Sequence, residues 1–522
     1  MRLLNSTTLE FRDFIGSSIP PYAILSHTWG DEEVSFQDIQ APGLGQKMGY
    51  TKIKRCCEIA VEDGFEFVWI DTCCIDKTSS SELSEAINSM YSWYQRADVC
   101  YVYLVDLPSG MDLFDPKSAF SKSKWFTRGW TLQELIAPAN VIFFDYDWWE
   151  VGTKTSLQSP ISKITGIDVN VLSNGDWDLN AFSVAQKMSW AAERETSRPE
   201  DMAYCLLGIF DVHMPLLYGE GQRAFIRLQE GIMKVSNDNS LFAWRNEKKL
   251  LSPDRPSNEY TRLGLLAASP KAFFGCGAII QSPKLMKTEF TSTNRGINLE
   301  LPLAQLWPGI FLAILSCESV SDPGSLIGLH LQKAPRENDL FVRMWNIDPE
   351  FISVDRVATF ERKHIFVAHD RRLRHTAEAC MHVLVKISSS GDGIFWLHDT
   401  HLPNAISSDV LPTSKDLMFH AASPTNSMGF IGALEFRTVD STKIFVILRI
   451  ARNVLLVNSD ILDPLETLEE VFNSYKQLRR RWVPQSDRMY FQFGINSFHM
   501  GIEVRRQVVT GKRTHILDVT GE

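Results

Sequence analysis

Trp125-Phe126-Thr127-Arg128-Gly129-Trp130-Thr131-Leu132-Gln133-Glu134-Leu135 is the stretch on which the reading of this chain turns. It sets one carboxylate, Glu134, in the first turn or so of a short helix, behind an aromatic pair and a glycine. Two earlier stretches, Tyr22-Ala23-Ile24-Leu25-Ser26-His27-Thr28-Trp29-Gly30 and Val68-Trp69-Ile70-Asp71-Thr72-Cys73-Cys74-Ile75-Asp76-Lys77, read as its partners. Each is an apolar strand that ends in polar, aromatic or glycine residues. Parallel neighbours of this kind open their ends onto one edge of the sheet, where open α/β folds bind ligands.

Around these stretches the chain alternates strand and helix. Tyr22 to Thr28, Phe65 to Ile70, Val99 to Val105 and Val141 to Phe144 read as buried strands. Between them, Lys52 to Asp63 carries Ile53, Cys56, Cys57, Ala60 and Val61 on one side, and Gly64 ends it. Ser79 offers a cap to a second helix whose stripe is Leu83, Ile87, Met90, Tyr91 and Tyr94. Trp130 to Ala137 is a third helix. This rhythm predicts an α/β domain over residues 1–150, with a parallel sheet flanked by helices.

Residues 151–244 read as a helical extension packed on that domain, with helices over Val184 to Glu195, from Ser197-Arg198-Pro199-Glu200-Asp201 onward, and after Gly219-Glu220-Gly221. From 245 to 522 short runs rich in Val, Ile, Phe and Thr alternate with turn residues, which predicts a β-rich domain of sandwich or barrel type. Pro464 to Leu478 is the exception and reads as a helix.

The chain has 522 residues, which suggests two to four domains at about 150 residues each. Its net charge of −10 speaks against a nucleic-acid partner, whose phosphates call for a basic face. The N-terminal residues lack the apolar run of a secretory signal, and no stretch approaches the roughly 20 apolar residues of a membrane span. Nine scattered cysteines in apolar surroundings fit buried thiols in a reducing compartment, so the expected location is cytoplasmic.

The chemistry-bearing residues each have a plain reading and a functional one. Glu134 either stabilises its helix start and pairs with Arg128, or serves as a catalytic carboxylate. Asp71 is a ligand contact or a cap and ion-pair partner, and His27 a phosphate contact or a structural histidine. Trp29 and Trp130 are core aromatics or flat walls for a ring. The adjacent pairs Cys56-Cys57 and Cys73-Cys74 lack the spacing of a zinc site, so no metal is expected. Gly219-Glu220-Gly221 lacks a βαβ unit around it and reads as a helix-start turn.

The three N-terminal stretches resemble the heterokaryon incompatibility (HET) domain of filamentous fungi. Its blocks are matched by Tyr22 to Gly30, by Trp69 to Lys77 and by Arg128 to Glu134, and also by Met1-Arg2-Leu3-Leu4-Asn5 and Arg198-Pro199-Glu200-Asp201-Met202-Ala203-Tyr204. The resemblance covers residues 1 to about 244 and implies a role in non-self recognition and regulated cell death. More distantly, the order of elements is similar to that of TIR domains. Their Ser-x-Trp-Cys-x-x-Glu-Leu box is echoed by Gly129 to Leu135, with Thr131 in place of cysteine.

In catalytic TIR domains the glutamate of that box cleaves NAD between nicotinamide and ribose. Carried over by motif position, the catalytic residue is Glu134, with Ser26, Trp29, Gly30, Asp71 and Trp130 lining the substrate pocket. NAD would then be a substrate and no cofactor is implied. One carboxylate suffices on paper, because nicotinamide leaves a cationic centre as a neutral molecule and needs no general acid. The resemblance further implies self-association through the HET domain and an incompatibility partner protein that the sequence does not identify. The alternative is a non-enzymatic module that oligomerises and recruits death partners.

Overall fold

The structure, a computed structural model, describes residues 1–245 apart from 40, 42–43 and 174–177. It also describes 264–368 apart from 286–288, 308–309, 335–338 and 345–347 and, beyond 379, chiefly the strands of the C-terminal sheets. The expected helix over Pro464 to Leu478 lies almost wholly outside the described residues.

A seven-stranded sheet organises the N-terminal domain. Its strands are β1 (Arg2–Asn5), β2 (Phe11–Asp13), β3 (Ala23–His27), β4 (Phe67–Trp69), β5 (Val99–Tyr103), β6 (Val141–Phe144) and β7 (Glu150–Thr153), in the order β2-β1-β4-β3-β5-β6-β7. The inner four run parallel, with Ala23 beside both Val68 and Val99 and Cys100 beside Val141. Every residue of β3 and β5 is buried, as strands covered on both faces must be. The sheet is mixed rather than purely parallel. A hairpin of β1 and β2 closes one edge antiparallel and β7 closes the other, from segments too short to give a clear sequence period.

Two crossovers fix what surrounds β3. Helix α1 (Met48–Glu62) leads to β4 on one side of β3, and α2 (Ser80–Arg96) leads back across to β5 on the other. Right-handed connections made in opposite directions put the two helices on opposite faces. Ile53, Cys56, Cys57 and Ala60 form the buried stripe of α1, and Ala86, Ile87, Met90 and Tyr94 that of α2. Ser79 accepts from the Glu82 amide and starts α2 as expected. Helix α3 (Thr131–Ile136) follows β5, fully buried along its length. The four parallel strands thus run 2-1-3-4 in chain order, and the direction of winding reverses between β3 and β5.

The helical segment is built from short pieces: α4 (Gln158–Thr165), α5 (Val169–Leu172), α6 (Val184–Ser189), α7 (Asp201–Tyr204) and α8 (Arg223–Val235). Helix α6 stops six residues before the expected Glu195. The chain from Trp190 onward folds back instead, so that Glu195 exchanges backbone hydrogen bonds with Thr127 and Gly129. Gly219 and Gly221 adopt left-handed φ values of 102° and 59° in the turn before α8, and their amides both donate to Glu200 Oε1.

The C-terminal half is a β-rich domain. Its described strands form sheets of eight strands (within Ile279–Val367), six (within Cys380–Gly521) and four (within Phe395–Ile461). One buried apolar cluster joins Leu3 and β3 through the helical segment to Val367 in the first of these sheets.

Candidate functional site

Ser26 and His27 are successive residues at the end of β3, so their side chains leave on opposite faces of the sheet. Each face carries its own polar cluster, and the expected site residues are divided between the two.

On the α2 and α3 face, Ser26 is fully buried and Glu134 is 6% exposed. Ser26 Oγ donates to Glu134 Oε2 at 2.5 Å and accepts from the indole Nε1 of buried Trp125 at 2.8 Å. Glu134 also hydrogen-bonds Tyr94. Tyr94 has one hydroxyl hydrogen, which it donates to the Leu25 carbonyl at 3.0 Å. The same hydroxyl lies against Glu134, where it lowers the proton affinity of the carboxyl.

Burial, and after it the charge of Asp71, pushes the Glu134 carboxyl up from 4.5 to about 8, against smaller pulls from the hydrogen bonds of Ser26 and Tyr94. The first-turn position on α3 favours the ionised form by only ~0.3–1 kcal/mol. The upward shift corresponds to roughly 4–5 kcal/mol, so burial wins over the helix dipole. Burial therefore sets the proton affinity of Glu134 well above that of a free carboxyl. Arg128 makes no ion pair with it among the described residues and lowers its proton affinity only at longer range.

Arg128 instead supplies structure through its backbone. Arg194, 5% exposed, donates Nη1 to the Arg128 carbonyl at 2.8 Å and to Thr131 Oγ1 at 2.9 Å. Thr131 in turn bonds back to the Trp125 carbonyl at 2.5 Å. The helical segment is thereby locked onto the turn that begins α3. Gly129 is required at that lock, since a Cβ there would lie 2.5 Å from Thr196 Cγ2 and 3.1 Å from Cys205 Sγ. Trp130 is engaged with the Asp201 carboxyl of α7.

On the α1 face, Asp71 Oδ2 accepts from Trp29 Nε1 at 2.8 Å, and Lys77 Nζ sits 3.7 Å from the centre of the Trp29 ring. Glu33 Oε1 accepts from the Gly30 amide at 2.7 Å and from Lys52 Nζ at 2.6 Å. The His27 side chain, 1% exposed, has Nε2 3.7 Å from Asp71 Oδ1 and 4.0 Å from Glu33 Oε2. Burial, then the charges of Lys52, Lys77 and Arg128, push its proton affinity well below the usual histidine range. Burial raises that of Asp71. Trp29 is 47% exposed and forms the open wall of this side. The structure thus brings Ser26 to Glu134, gathers Trp29, Gly30 and Asp71 around His27, and puts Trp130 with Asp201.

The cysteine pairs Cys56-Cys57 and Cys73-Cys74 are buried free thiols, and burial pushes Cys57 up to about 12. Among the described residues no group of His, Cys, Asp and Glu is arranged to hold a metal ion, and no helix is long and apolar enough to cross a membrane.

Residues 22–112, which hold β3, β4, Trp29, His27 and Asp71, match the family described as heterokaryon incompatibility protein (HET). This chain carries a HET domain. Residues 223–343 match a second family, a domain of unknown function termed DUF8212. The vegetative incompatibility protein HET-E-1 of Podospora anserina is 47% identical over 267 residues, which cover 49% of this chain and 19% of that protein. The chain therefore spans about a fifth of the length of that relative. A lectin of Xerocomus chrysenteron aligns over 27% of this chain and 99% of its own, at 12% identity and a TM-score of 0.21.

Several residues that shape the site carried no functional signal in the sequence. Tyr94 sits in the apolar stripe of α2 and reads as core, which it also is. Trp125 lies in the quoted motif, but nothing local tells that its indole reaches back to Ser26. Glu33 lies in the acidic run Asp31-Glu32-Glu33 and Arg194 between Glu193 and Glu195, so neither stands out from its charged neighbours. Only the fold brings them to the ends of β3.

Proposed function

We propose that this chain is an effector of heterokaryon, or vegetative, incompatibility that triggers regulated cell death, and that its HET domain cleaves NAD between nicotinamide and ribose. The observation that carries the reading is the relay from Trp125 through Ser26 to Glu134, which holds a buried, perturbed carboxyl at the ends of the parallel strands. The 2-1-3-4 strand order, shared by doubly wound folds, supports a TIR-like ancestry for the domain.

In the proposed reaction the bond between ribose C1 and the pyridinium nitrogen breaks, and its electron pair leaves with neutral nicotinamide. Water then bonds to C1 of the ribosyl cation and releases a proton, giving ADP-ribose. Glu134 must be ionised to stabilise that cation. The pyridinium charge of bound NAD lowers the proton affinity of a nearby carboxyl and would supply this ionisation on binding. Ser26 positions Glu134, while Trp29, Gly30 and Asp71 contact substrate and Trp130 offers a further flat wall. Self-association through the HET domain, an incompatibility partner protein, a cytoplasmic location and no nucleic-acid ligand complete the proposal. The C-terminal β-rich domain senses that partner or restrains assembly.

A second reading rests on the same carboxyl. A buried, hydrogen-bonded Glu134 also fits a structural core element, as a non-enzymatic oligomerisation module would have it. Nicotinamide release by the purified full-length protein, concentrated to favour assembly, separates the two. Turnover that disappears in Glu134→Gln, with folding and self-association intact, supports the glycohydrolase. Absence of turnover in a folded, self-associating protein supports the module.

A further inference from the structure

Arg194 carries a positive charge into the core, and its hydrogen bonds leave that charge unmatched. The residue is 5% exposed. Its Nε donates to the Trp190 carbonyl at 3.2 Å, and its Nη1 to the Arg128 carbonyl and to Thr131 Oγ1. All three acceptors are neutral. Nη2 is buried without a hydrogen-bond partner, and no carboxylate pairs with the guanidinium among the described residues. Burial draws its proton affinity down to about 10, which still leaves it charged at pH 7. A neutral side chain would serve as a clamp without the desolvation that a buried charge incurs.

The group that can answer that charge lies one turn along α3. Thr131, which holds Nη1, and Glu134 are three residues apart and share a side of the helix. The Glu134 carboxyl acts on the guanidinium, and the Cys205 thiol lies under the influence of both. The other groups that face Glu134 are Ser26 from β3, Tyr94 from α2, Asp71 after β4, Cys100 from β5 and Arg128 before α3. Lys154 lies behind Cys100 and donates to the Pro138 carbonyl. Two cations therefore act together with the carboxyl, Arg128 and Arg194. Arg128 lowers the proton affinity of Glu134, but it is half-buried, and solvent screens a charge there more than one enclosed as Arg194 is.

We propose that Arg194 is a positioning residue for Glu134, its enclosed charge matching the carboxylate that forms when substrate binds. The helical segment thereby completes a site whose other residues all come from the first 150. The part that Arg194 plays in turnover rests on the glycohydrolase reading above. Its coupling to Glu134 does not, because both side chains are in place with no ligand bound.

The test locates the pH at which Glu134 titrates, through urea melts of the full-length chain paired with its Glu134→Gln variant. In the unaltered background the stability gap within the pair widens above pH 4.5 and levels off at about 8. Both members of a pair carry the same residue at 194, so a loss of the clamp cancels between them. With Arg194→Gln in both, the gap should go on widening for about one pH unit or more beyond that point. With Arg194→Lys, which keeps the charge, it should level off nearer to 8. A level-off that Arg194→Gln does not move shows a clamp alone and overturns the proposal. Arg128→Gln decides the matter where no Arg194 variant folds. With Arg194 in place its pair should level off within about one unit of the unaltered value, and a larger rise makes Arg128 the counter-charge and overturns the proposal. Nicotinamide release is followed in parallel, and the rise of kcat/KM with pH should move up together with the level-off in Arg194→Gln. A moved level-off without release by the unaltered chain sinks the glycohydrolase and leaves the coupling standing. Release with an unmoved level-off does the reverse.

Discussion

Ser26 Oγ donates to Glu134 Oε2 at 2.5 Å, across 108 residues of sequence. Ser26 is itself held by the Trp125 indole, so its hydrogen is directed at that carboxyl. A glutamine has the same shape and keeps an oxygen to accept from Ser26. Glu134→Gln is therefore expected to leave the network in place.

It is also expected to stabilise the protein. Glu134 titrates at about 8 in the folded chain and near 4.5 when unfolded. Below pH 4.5 both states hold the proton and the residue is neutral in its effect. As pH rises from 4.5 to 8 the unfolded chain releases the proton and the folded chain retains it, so stability falls. At pH 7 the loss amounts to roughly 3 kcal/mol. Glutamine escapes it. Urea midpoints of the two proteins should coincide near pH 4.5 and separate, with the variant more stable, toward pH 8. A variant that is less stable at pH 7 would mean that Glu134 is ionised in the fold.

The same titration makes a kinetic prediction under the glycohydrolase reading. The profile of kcat/KM follows groups of the free enzyme, so it should rise with pH through about 8, as Glu134 loses its proton. The profile of kcat follows the complex, in which the pyridinium charge lowers that value, and its rise should come at lower pH. Nicotinamide release measured from pH 5.5 to 9.5 checks both. A kcat/KM that is flat across this range removes Glu134 as the titrating group.

Replacing Ser26 by alanine has the opposite character. It leaves Trp125 Nε1 without an acceptor and Glu134 without its donor, both in the core. The expected cost is about 1–3 kcal/mol in a denaturant melt. In the assay, activity should fall with little change in KM, since Ser26 touches Glu134 and not the ligand. A change in KM alone would place Ser26 against substrate instead.

How far these relations were legible in the sequence depended on their range. β3 and β5 announced themselves as apolar runs because both their faces are covered, and α2 announced its start through Ser79. The edge strands β1, β2 and β7 did not: β2 and β7 bury none of their residues fully, and so lack the apolar run that marks the inner strands. Glu134, Asp71 and Trp29 were legible as polar or aromatic groups at strand and helix ends. Their division between two faces was not, although it follows from Ser26 and His27 being adjacent on one strand. The partnership of Arg194 with the carbonyl of Arg128 spans 66 residues and leaves no trace in either local pattern.

The lock between helical segment and α3 is tested at Gly129. A Cβ there meets Thr196 Cγ2 at 2.5 Å and Cys205 Sγ at 3.1 Å, and the Gly129 amide is bonded to Glu195 at 2.8 Å. Gly129→Ala should therefore destabilise by about 1–3 kcal/mol, through overpacking alone. Thr196→Ser, which removes the clashing methyl group, should restore a part of that loss in the double variant. Additive effects of the two changes would show that the methyl contact is not the source of the cost.

Arg343 provides the corresponding test at the junction with the first C-terminal sheet. It is 3% exposed and donates Nη1 to the Phe242 carbonyl at 2.8 Å and Nη2 to the Trp244 carbonyl at 2.6 Å. Its guanidinium also lies 3.5 Å from the centre of the Trp244 ring. A lysine keeps the charge but has no planar fork to meet two carbonyls while stacking on an indole. Arg343→Lys should cost about 2–4 kcal/mol, since it leaves a buried carbonyl and a buried charge poorly matched. Arg343→Met, which removes the charge as well, should be less harmful than lysine if burial of the ammonium dominates, and more harmful if the lost hydrogen bonds do. Thermal melts of the three proteins decide between these terms. A wild-type melting temperature for both variants would show that the clamp does not tie the helical segment to the sheet.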